Sequence, residues 1–125
     1  MSKILIVDDD EMVRRYLQTV LEGESYEVEV AINGYEALSL YEQKPADVVI
    51  TDIAMPEMNG FDLIVELTRR WAGTKVIAIS GVAENLAIAK MLGACETLQK
   101  PFNLDHLSRT TRHVVARPPQ VPTGG

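Results

Sequence analysis

The sequence contains little cysteine and no long hydrophobic run. Cys95 is the one cysteine among 125 residues, which excludes an intrachain disulfide and fits a reducing compartment. No apolar run approaches the roughly 20 residues that a membrane-spanning helix needs. The N-terminus also lacks the charged-then-apolar pattern of a secretory signal. We therefore expect a cytoplasmic protein without a membrane partner.

Basic residues are scarce relative to acidic ones. Twelve lysines and arginines oppose 18 aspartates and glutamates, which gives a formal net charge of −6. A chain with this charge repels the phosphates of nucleic acids and anionic membranes, so direct nucleic-acid binding is not expected. The hydrophobic share of 46% and the charged share of 24% are those of an ordinary globular domain. The length favours a single domain with its own core.

Four short apolar runs, and one segment at residues 26–31 in which apolar and acidic residues alternate, are separated by segments of helical periodicity. The alternation predicts a strand with one face in water, at an edge of the sheet. The runs are typical of strands that are buried in a parallel sheet. Five strand–helix pairs predict an α/β, doubly wound (βα)5 fold with a five-stranded parallel sheet and helices on both faces. Because right-handed crossovers leave few strand orders, we expect the flavodoxin-like order 2-1-3-4-5. The predicted strands are residues 3–7, 26–31, 47–51, 75–79 and 95–99.

Helix boundaries and the domain end can also be read from the pattern. Asp10 and Asn103 stand where helix N-caps are expected. The apolar periodicity places Tyr16, Val65 and Leu104 on inward faces of their helices. We expect the domain to span residues 1–116. Residues 117–125, RPPQVPTGG, are rich in proline and glycine, which predicts a disordered tail or a linker stub.

Acidic side chains end two predicted strands that should be neighbours. Asp8 and Asp9 follow the first strand, and Asp52 follows the third. Ligands of such sheets bind beyond the carboxyl ends of the strands, where the strand order reverses. Like charges about 4 Å apart repel by roughly 4 kcal/mol, which a cation relieves. Oxygen ligands with open water positions suit Mg²⁺, so the sequence predicts a magnesium site.

Two more strand ends bring polar groups to the same edge. Lys100 closes the fifth strand and Ser80 closes the fourth. A carboxylate nucleophile, Mg²⁺, an ammonium group and a hydroxyl donor are the groups that phosphoryl transfer to aspartate requires. The metal and the lysine neutralise charge on the equatorial oxygens, and the donors orient them. We therefore predict that Asp52 accepts a phosphoryl group.

Four segments together carry a family resemblance. KILIVDDD, VVITDIAMPEMNG, VIAIS and LQKPF resemble, in this order, four blocks of the receiver domain of two-component response regulators, including the single-domain chemotaxis receivers. The resemblance covers about residues 3–115. It implies a signalling domain rather than a conventional enzyme, although one that assists its own phosphorylation. The implied partners are a histidine kinase or phosphotransfer protein, whose phosphohistidine supplies the phosphoryl group, and an unknown downstream protein.

The resemblance also implies a metal-ligand set. Asp9 and Asp52 would bind Mg²⁺ together with the backbone carbonyl of Ala54. Asp8 would help through water. These positions match the family blocks KILIVDDD and VVITDIAMPEMNG residue by residue.

The same resemblance assigns roles to Ser80 and Lys100. Ser80 would hydrogen-bond the phosphoryl group and Lys100 would pair with it. The Lys100–Pro101 peptide bond is usually cis in this family, at a cost of only about 0.5–1 kcal/mol. The family usually has Tyr, Phe or His three residues before the lysine, an aromatic that swings when the serine or threonine moves. Thr97 occupies this position here, so the usual relay residue is missing.

The predicted fourth helix, residues 83–92, is unusually apolar. It carries Leu86, Ile88, Met91 and Leu92 but few strongly polar residues. We expect most of these side chains to lie in the core. Any that do not would form an exposed patch for a partner or for a second copy of the chain in a homodimer.

Three interpretations compete for the whole chain. It is a stand-alone receiver, or it is the receiver part of a longer regulator with a separate output domain. The third interpretation is a flavodoxin-like cofactor binder or an aspartate-based phosphohydrolase. A flavin phosphate would be repelled by the acidic sequence DDDE after the first strand. A phosphohydrolase needs a second acid two residues after its nucleophile, where Ala54 stands.

Overall fold

Strands and helices alternate along residues 1–119, the part of the chain that the computed structural model describes. The strands are β1 (Lys3–Val7), β2 (Glu27–Ala31), β3 (Val48–Asp52), β4 (Val76–Ser80) and β5 (Glu96–Gln99). The helices are α1 (Glu11–Gly23), α2 (Gly34–Gln43), α3 (Gly60–Arg70), α4 (Ala83–Leu92) and α5 (Leu104–Ala116).

All neighbouring strands pair in parallel, in the order β2-β1-β3-β4-β5. This confirms the predicted flavodoxin-like order. The register pairs Val7 with Thr51 and Ser80 with Gln99. The carboxyl ends of β1, β3, β4 and β5 therefore lie along one edge of the sheet.

Two hydrophobic clusters cover the two faces of the sheet. Alternate strand residues such as Ile6 and Ile50 pack with α1 and α5 on one face. Their neighbours Leu5 and Val49 pack with α2, α3 and α4 on the other. Each fully buried aliphatic side chain contributes roughly 1.5–3 kcal/mol. This burial on both faces is why the inner strands β1, β3 and β4 read as continuous apolar runs, and it confirms the predicted layers.

The structure confirms two predicted helix N-caps and corrects the predicted positions of three helix side chains. The Asp10 side chain accepts hydrogen bonds from two N–H groups of α1, and the Asn103 side chain accepts one from α5. Tyr16, Val65 and Leu104 are 50%, 39% and 47% exposed, so their predicted inward positions were wrong. Neighbouring elements cover these three side chains only in part.

Helix α4 is less buried than its composition indicates. Leu86 and Ala89 are in the core, but Ile88 is 43% exposed and Met91 is 86% exposed. The expectation that most of this helix is core therefore holds only for the side that faces the sheet. Among the described residues, no helix is both long enough and apolar enough to cross a membrane.

Arg117, the first residue of the predicted tail, is held against the domain. Its backbone carbonyl accepts a hydrogen bond of 2.9 Å from the Lys75 ammonium group. Its guanidinium group bonds the Glu96 carboxylate and the Cys95 carbonyl. The part of the predicted tail at residues 120–125 lies outside the described residues.

Gly60 begins α3 in close contact with the end of β3. A Cβ at this position would lie 2.4 Å from the Asp52 carbonyl oxygen and 2.7 Å from Ile53 Cα. The Gly60 N–H donates to the Ile53 carbonyl at 2.9 Å. Because the crowding atoms belong to the backbone, a side chain here would displace the segment that follows Asp52.

We expect Gly60→Ala to lower the free energy of unfolding by about 1–3 kcal/mol, the usual cost of overpacking. The matched control is Gly23→Ala, because nothing lies within 4 Å of a Cβ at Gly23. That change should be neutral or stabilise by up to about 1 kcal/mol through helix propensity. Urea unfolding followed by circular dichroism measures both values. Equal stability of the two variants would contradict the close approach at Gly60.

Candidate functional site

Three carboxylates meet at the carboxyl ends of β1 and β3. Oxygen atoms of Asp8, Asp9 and Asp52 all lie within 4.8 Å of one another. Asp8 and Asp52 are buried, with 2% and 8% of their surface exposed, whereas Asp9 is exposed. The pairing of β1 with β3 thus produces the acidic cluster that the strand ends predicted.

Asp8 is held by its neighbours but keeps one unsatisfied oxygen. Its Oδ1 accepts a hydrogen bond of 2.9 Å from the Asp10 N–H, and its backbone carbonyl accepts one of 2.8 Å from Arg14 Nη1. Its Oδ2 is buried and has no hydrogen-bond partner in the described structure. Buried polar atoms are nearly always satisfied, so an orphaned carboxylate oxygen in an acidic cluster fits a hydrated cation.

Lys100 supplies the positive charge at this edge. Its Nζ lies 3.4 Å from Asp52 Oδ1, and its side chain is 37% exposed. The Lys100–Pro101 peptide bond is cis, as the resemblance implied. Lysine and aspartate thus approach from β5 and β3, on either side of β4.

Ser80 ends β4, the strand between Asp52 and Lys100. It is 4% exposed. Its Oγ accepts hydrogen bonds from the Val82 N–H at 3.0 Å and, at the long limit, from Asn85 Nδ2 at 3.5 Å. The Lys100 N–H donates to the Ser80 carbonyl at 2.9 Å. The hydroxyl is therefore positioned by the start of α4.

The electrostatics of the cluster follow from burial and like charge. Burial raises the pKa of Asp8 from its ordinary 3.8 to about 6; the hydrogen bond from Asp10 opposes this rise and the Asp52 charge adds to it. Burial also raises the pKa of Asp52, while the Lys100 ammonium opposes that increase. Both carboxylates are thus less stable in their charged form than in water, and a bound cation would relieve this.

The sequence did not reveal three of the contacts at this site. Gly60 packs on the Asp52 carbonyl, Arg14 bonds the Asp8 carbonyl, and Asn85 reaches Ser80. For Asn85 the available signal was a polar residue five positions after Ser80 in a helix with few polar residues. Ala54 is exposed two residues after Asp52. The metal-binding role of its carbonyl stays a prediction.

We expect Asp8→Asn to stabilise the metal-free fold near neutral pH. Because the Asp8 pKa is higher in the folded state, the folded protein binds this proton more tightly than the unfolded chain does. The stabilising contribution of protonated Asp8 is complete below about pH 3.8 and is lost as the pH rises through about 6. In EDTA near neutral pH, Asp8→Asn should raise the free energy of unfolding by about 1–3 kcal/mol. The gain should shrink toward about pH 4, as urea unfolding at several pH values would show.

The control for this prediction is Asp10→Asn. Asp10 is exposed, and Asn caps helices about as well as Asp. Its free energy of unfolding should stay within about 0.5 kcal/mol of wild type. If Asp8→Asn were no more stable than wild type near neutral pH, the buried charge of Asp8 would not be destabilising.

Comparisons with known proteins agree with this geometry. The family model for the response regulator receiver domain matches residues 4–112. Regulatory protein AtoC of Escherichia coli is 39% identical over 109 residues, which are 86% of this chain and 24% of AtoC. Chemotaxis protein CheY of Thermotoga maritima is 36% identical over 104 residues, covering 81% of this chain and 87% of CheY. The solved structure of response regulator TrrA of Thermotoga maritima, in complex with Mg²⁺-BeF, has a TM-score of 0.85 at 31% identity, covering 91% of this chain and 99% of TrrA.

Most of the first curated relatives are longer than this chain. It spans 24% of AtoC, 46% of the probable transcriptional regulator ycf27 of Guillardia theta and 52% of the CpxR homolog of Haemophilus influenzae. The match nevertheless extends over nearly all of the described sheet and helices. Sequence, strand order and acidic cluster together show that the chain belongs to the receiver domains of two-component response regulators.

Proposed function

We propose that Asp52 accepts a phosphoryl group from the phosphohistidine of a histidine kinase or a phosphotransfer protein. The observation that carries this proposal is the placement of Asp52 Oδ1, 3.4 Å from Lys100 Nζ and inside the acidic cluster. The Lys100 ammonium group beside this carboxylate can pair with the oxygens of the incoming phosphoryl group. The family match supports a signalling role rather than a conventional enzymatic one.

The residues that would hold Mg²⁺ are Asp9, Asp52 and the carbonyl of Ala54, with Asp8 acting through water. The orphaned Asp8 oxygen and the mutual distances of the three carboxylates support this set. The complex of TrrA with Mg²⁺-BeF supports the choice of metal. When bound, Mg²⁺ supplies positive charge that neutralises the carboxylates and the phosphoryl oxygens.

In the transfer step, a carboxylate oxygen of Asp52 attacks phosphorus as the phosphorus–nitrogen bond of the donor histidine breaks. The electron pair of that bond leaves with the imidazole nitrogen. Lys100 pairs with a phosphoryl oxygen, and the Ser80 hydroxyl donates to another. Ser80 and Asp52 are almost fully buried, so few waters compete for the new acyl phosphate.

We place the receiver domain at residues 1–116 and assign residues 117–125 to a tail or linker, whose first residue, Arg117, is bonded to the domain. The net charge of −6 favours a protein as the downstream partner over direct contact with nucleic acid. The exposed side of α4, with Ile88 and Met91, supports a contact with a partner or with a second copy. The lone cysteine fits a cytoplasmic setting.

The test is to incubate the protein with Mg²⁺ and acetyl phosphate and to measure its intact mass. We expect wild type to gain one phosphoryl group, and the gain to be lost in EDTA and in Asp52→Asn. The control Asp105→Asn changes an exposed aspartate in the first turn of α5 and should keep the gain. No gain in wild type at any Mg²⁺ concentration, or an equal gain in Asp52→Asn, would exclude the proposal.

A further inference from the structure

The first turn of α4 is tied to Ser80 rather than to a cap of its own. Val82 occupies the N-cap position and makes no side-chain cap bond. The Val82 N–H instead donates to Ser80 Oγ at 3.0 Å, and Asn85 Nδ2 approaches the same oxygen at 3.5 Å. The Asn85 N–H donates to the Val82 carbonyl at 3.1 Å, which closes the turn. One hydroxyl oxygen thus holds the start of this turn and is in contact with its end.

The Ser80 hydroxyl can also serve the site beside it. A serine hydroxyl has one hydrogen to donate and two lone pairs to accept with. Both lone pairs face donors of α4, so the hydrogen remains for an acceptor at Asp52. Ser80 directly follows Ile79, which pairs with Asp52 across β3 and β4. A phosphoryl group on Asp52 would bring such acceptors and additional negative charge.

We propose that Asn85 is a positioning residue that couples the phosphorylation of Asp52 to α4; this rests on the proposed function. When the Ser80 hydroxyl donates to a phosphoryl oxygen, its oxygen moves toward Asp52. The Asn85 amide follows this oxygen and carries the first turn of α4 with it. Asn85 also lines the same surface cleft as Ala54, beside the segment after Asp52. The added negative charge also attracts the positive N-terminal end of α4.

This route runs through α4, not through β5. Thr97 lies on the edge strand β5, where it pairs with Ala78 and is only partly exposed, and its short side chain has no ring that could swing. Asn85, in contrast, contacts the site hydroxyl from the helix itself. Ile88 and Met91 lie farther along α4 on its exposed side, so a shift of its first turn changes the surface that they present.

The test uses the full chain, Mg²⁺ and beryllofluoride, which stands in for a phosphoryl group on a carboxylate. Backbone amide NMR follows the residues of α4 and those around Asp52, and the ¹⁹F signal reports the bound fluoride. Wild type, Asn85→Ala and Asn85→Asp are compared with the control Glu84→Ala, which changes the exposed neighbour. Alanine favours helix, and Asp keeps the shape of Asn without its amide donors, so both variants should fold.

We expect all four proteins to bind beryllofluoride and to show shift changes around Asp52. Wild type and Glu84→Ala should also show changes at residues 83–87, and both Asn85 variants should lose most of those changes. Suppose that Asn85→Ala binds beryllofluoride and its α4 amides shift as much as those of wild type. That result would overturn the coupling and leave the proposed function intact. Absence of bound fluoride in wild type would overturn both, so the two failures are distinguishable.

Discussion

The rest of the structure depends on the parallel pairing of β1 with β3. That pairing brings Asp8, Asp9 and Asp52 within 4.8 Å of one another. Like charges at about 4 Å repel by roughly 4 kcal/mol at an effective dielectric near 20. The apolar clusters on both faces of the sheet hold the strands in place despite this repulsion. Hydrophobic burial therefore maintains a concentration of negative charge that makes the edge receptive to a cation and to phosphoryl chemistry.

The other strand ends determine what that edge can do. β5 brings Lys100 to Asp52, and β4 brings a buried hydroxyl that α4 already holds. Gly60 lets the segment after Asp52 fold back onto the end of β3, because its lack of a side chain permits contact with the Asp52 carbonyl. In the coupling that we propose, binding of a charged group at Asp52 reaches α4 through one oxygen atom, Ser80 Oγ, which contacts Val82 and Asn85.

The sequence predicted the strand order and the acidic cluster because both follow from local patterns and general rules. Apolar runs that end in Asp8 or Asp52 define strand ends, and the handedness of crossovers leaves few ways to arrange them. It did not predict how far neighbouring elements cover a helix, so Tyr16 was wrongly placed inward. It also could not show the reach of Asn85 to Ser80, because that contact depends on the path of a turn without periodicity. The proline-rich composition after Ala116 likewise gave no sign that Arg117 bonds Lys75 and Glu96.

The central claim is that the acidic cluster is a cation site whose repulsion the metal relieves. The most direct measurement is the melting temperature of the metal-free protein as Mg²⁺ is added at constant ionic strength. Binding to the folded state alone should raise it along a single-site saturation curve. We expect this saturable rise in wild type and in Asp105→Asn, and its loss in Asp9→Asn. An equal rise in Asp9→Asn, or none in wild type, would contradict the claim.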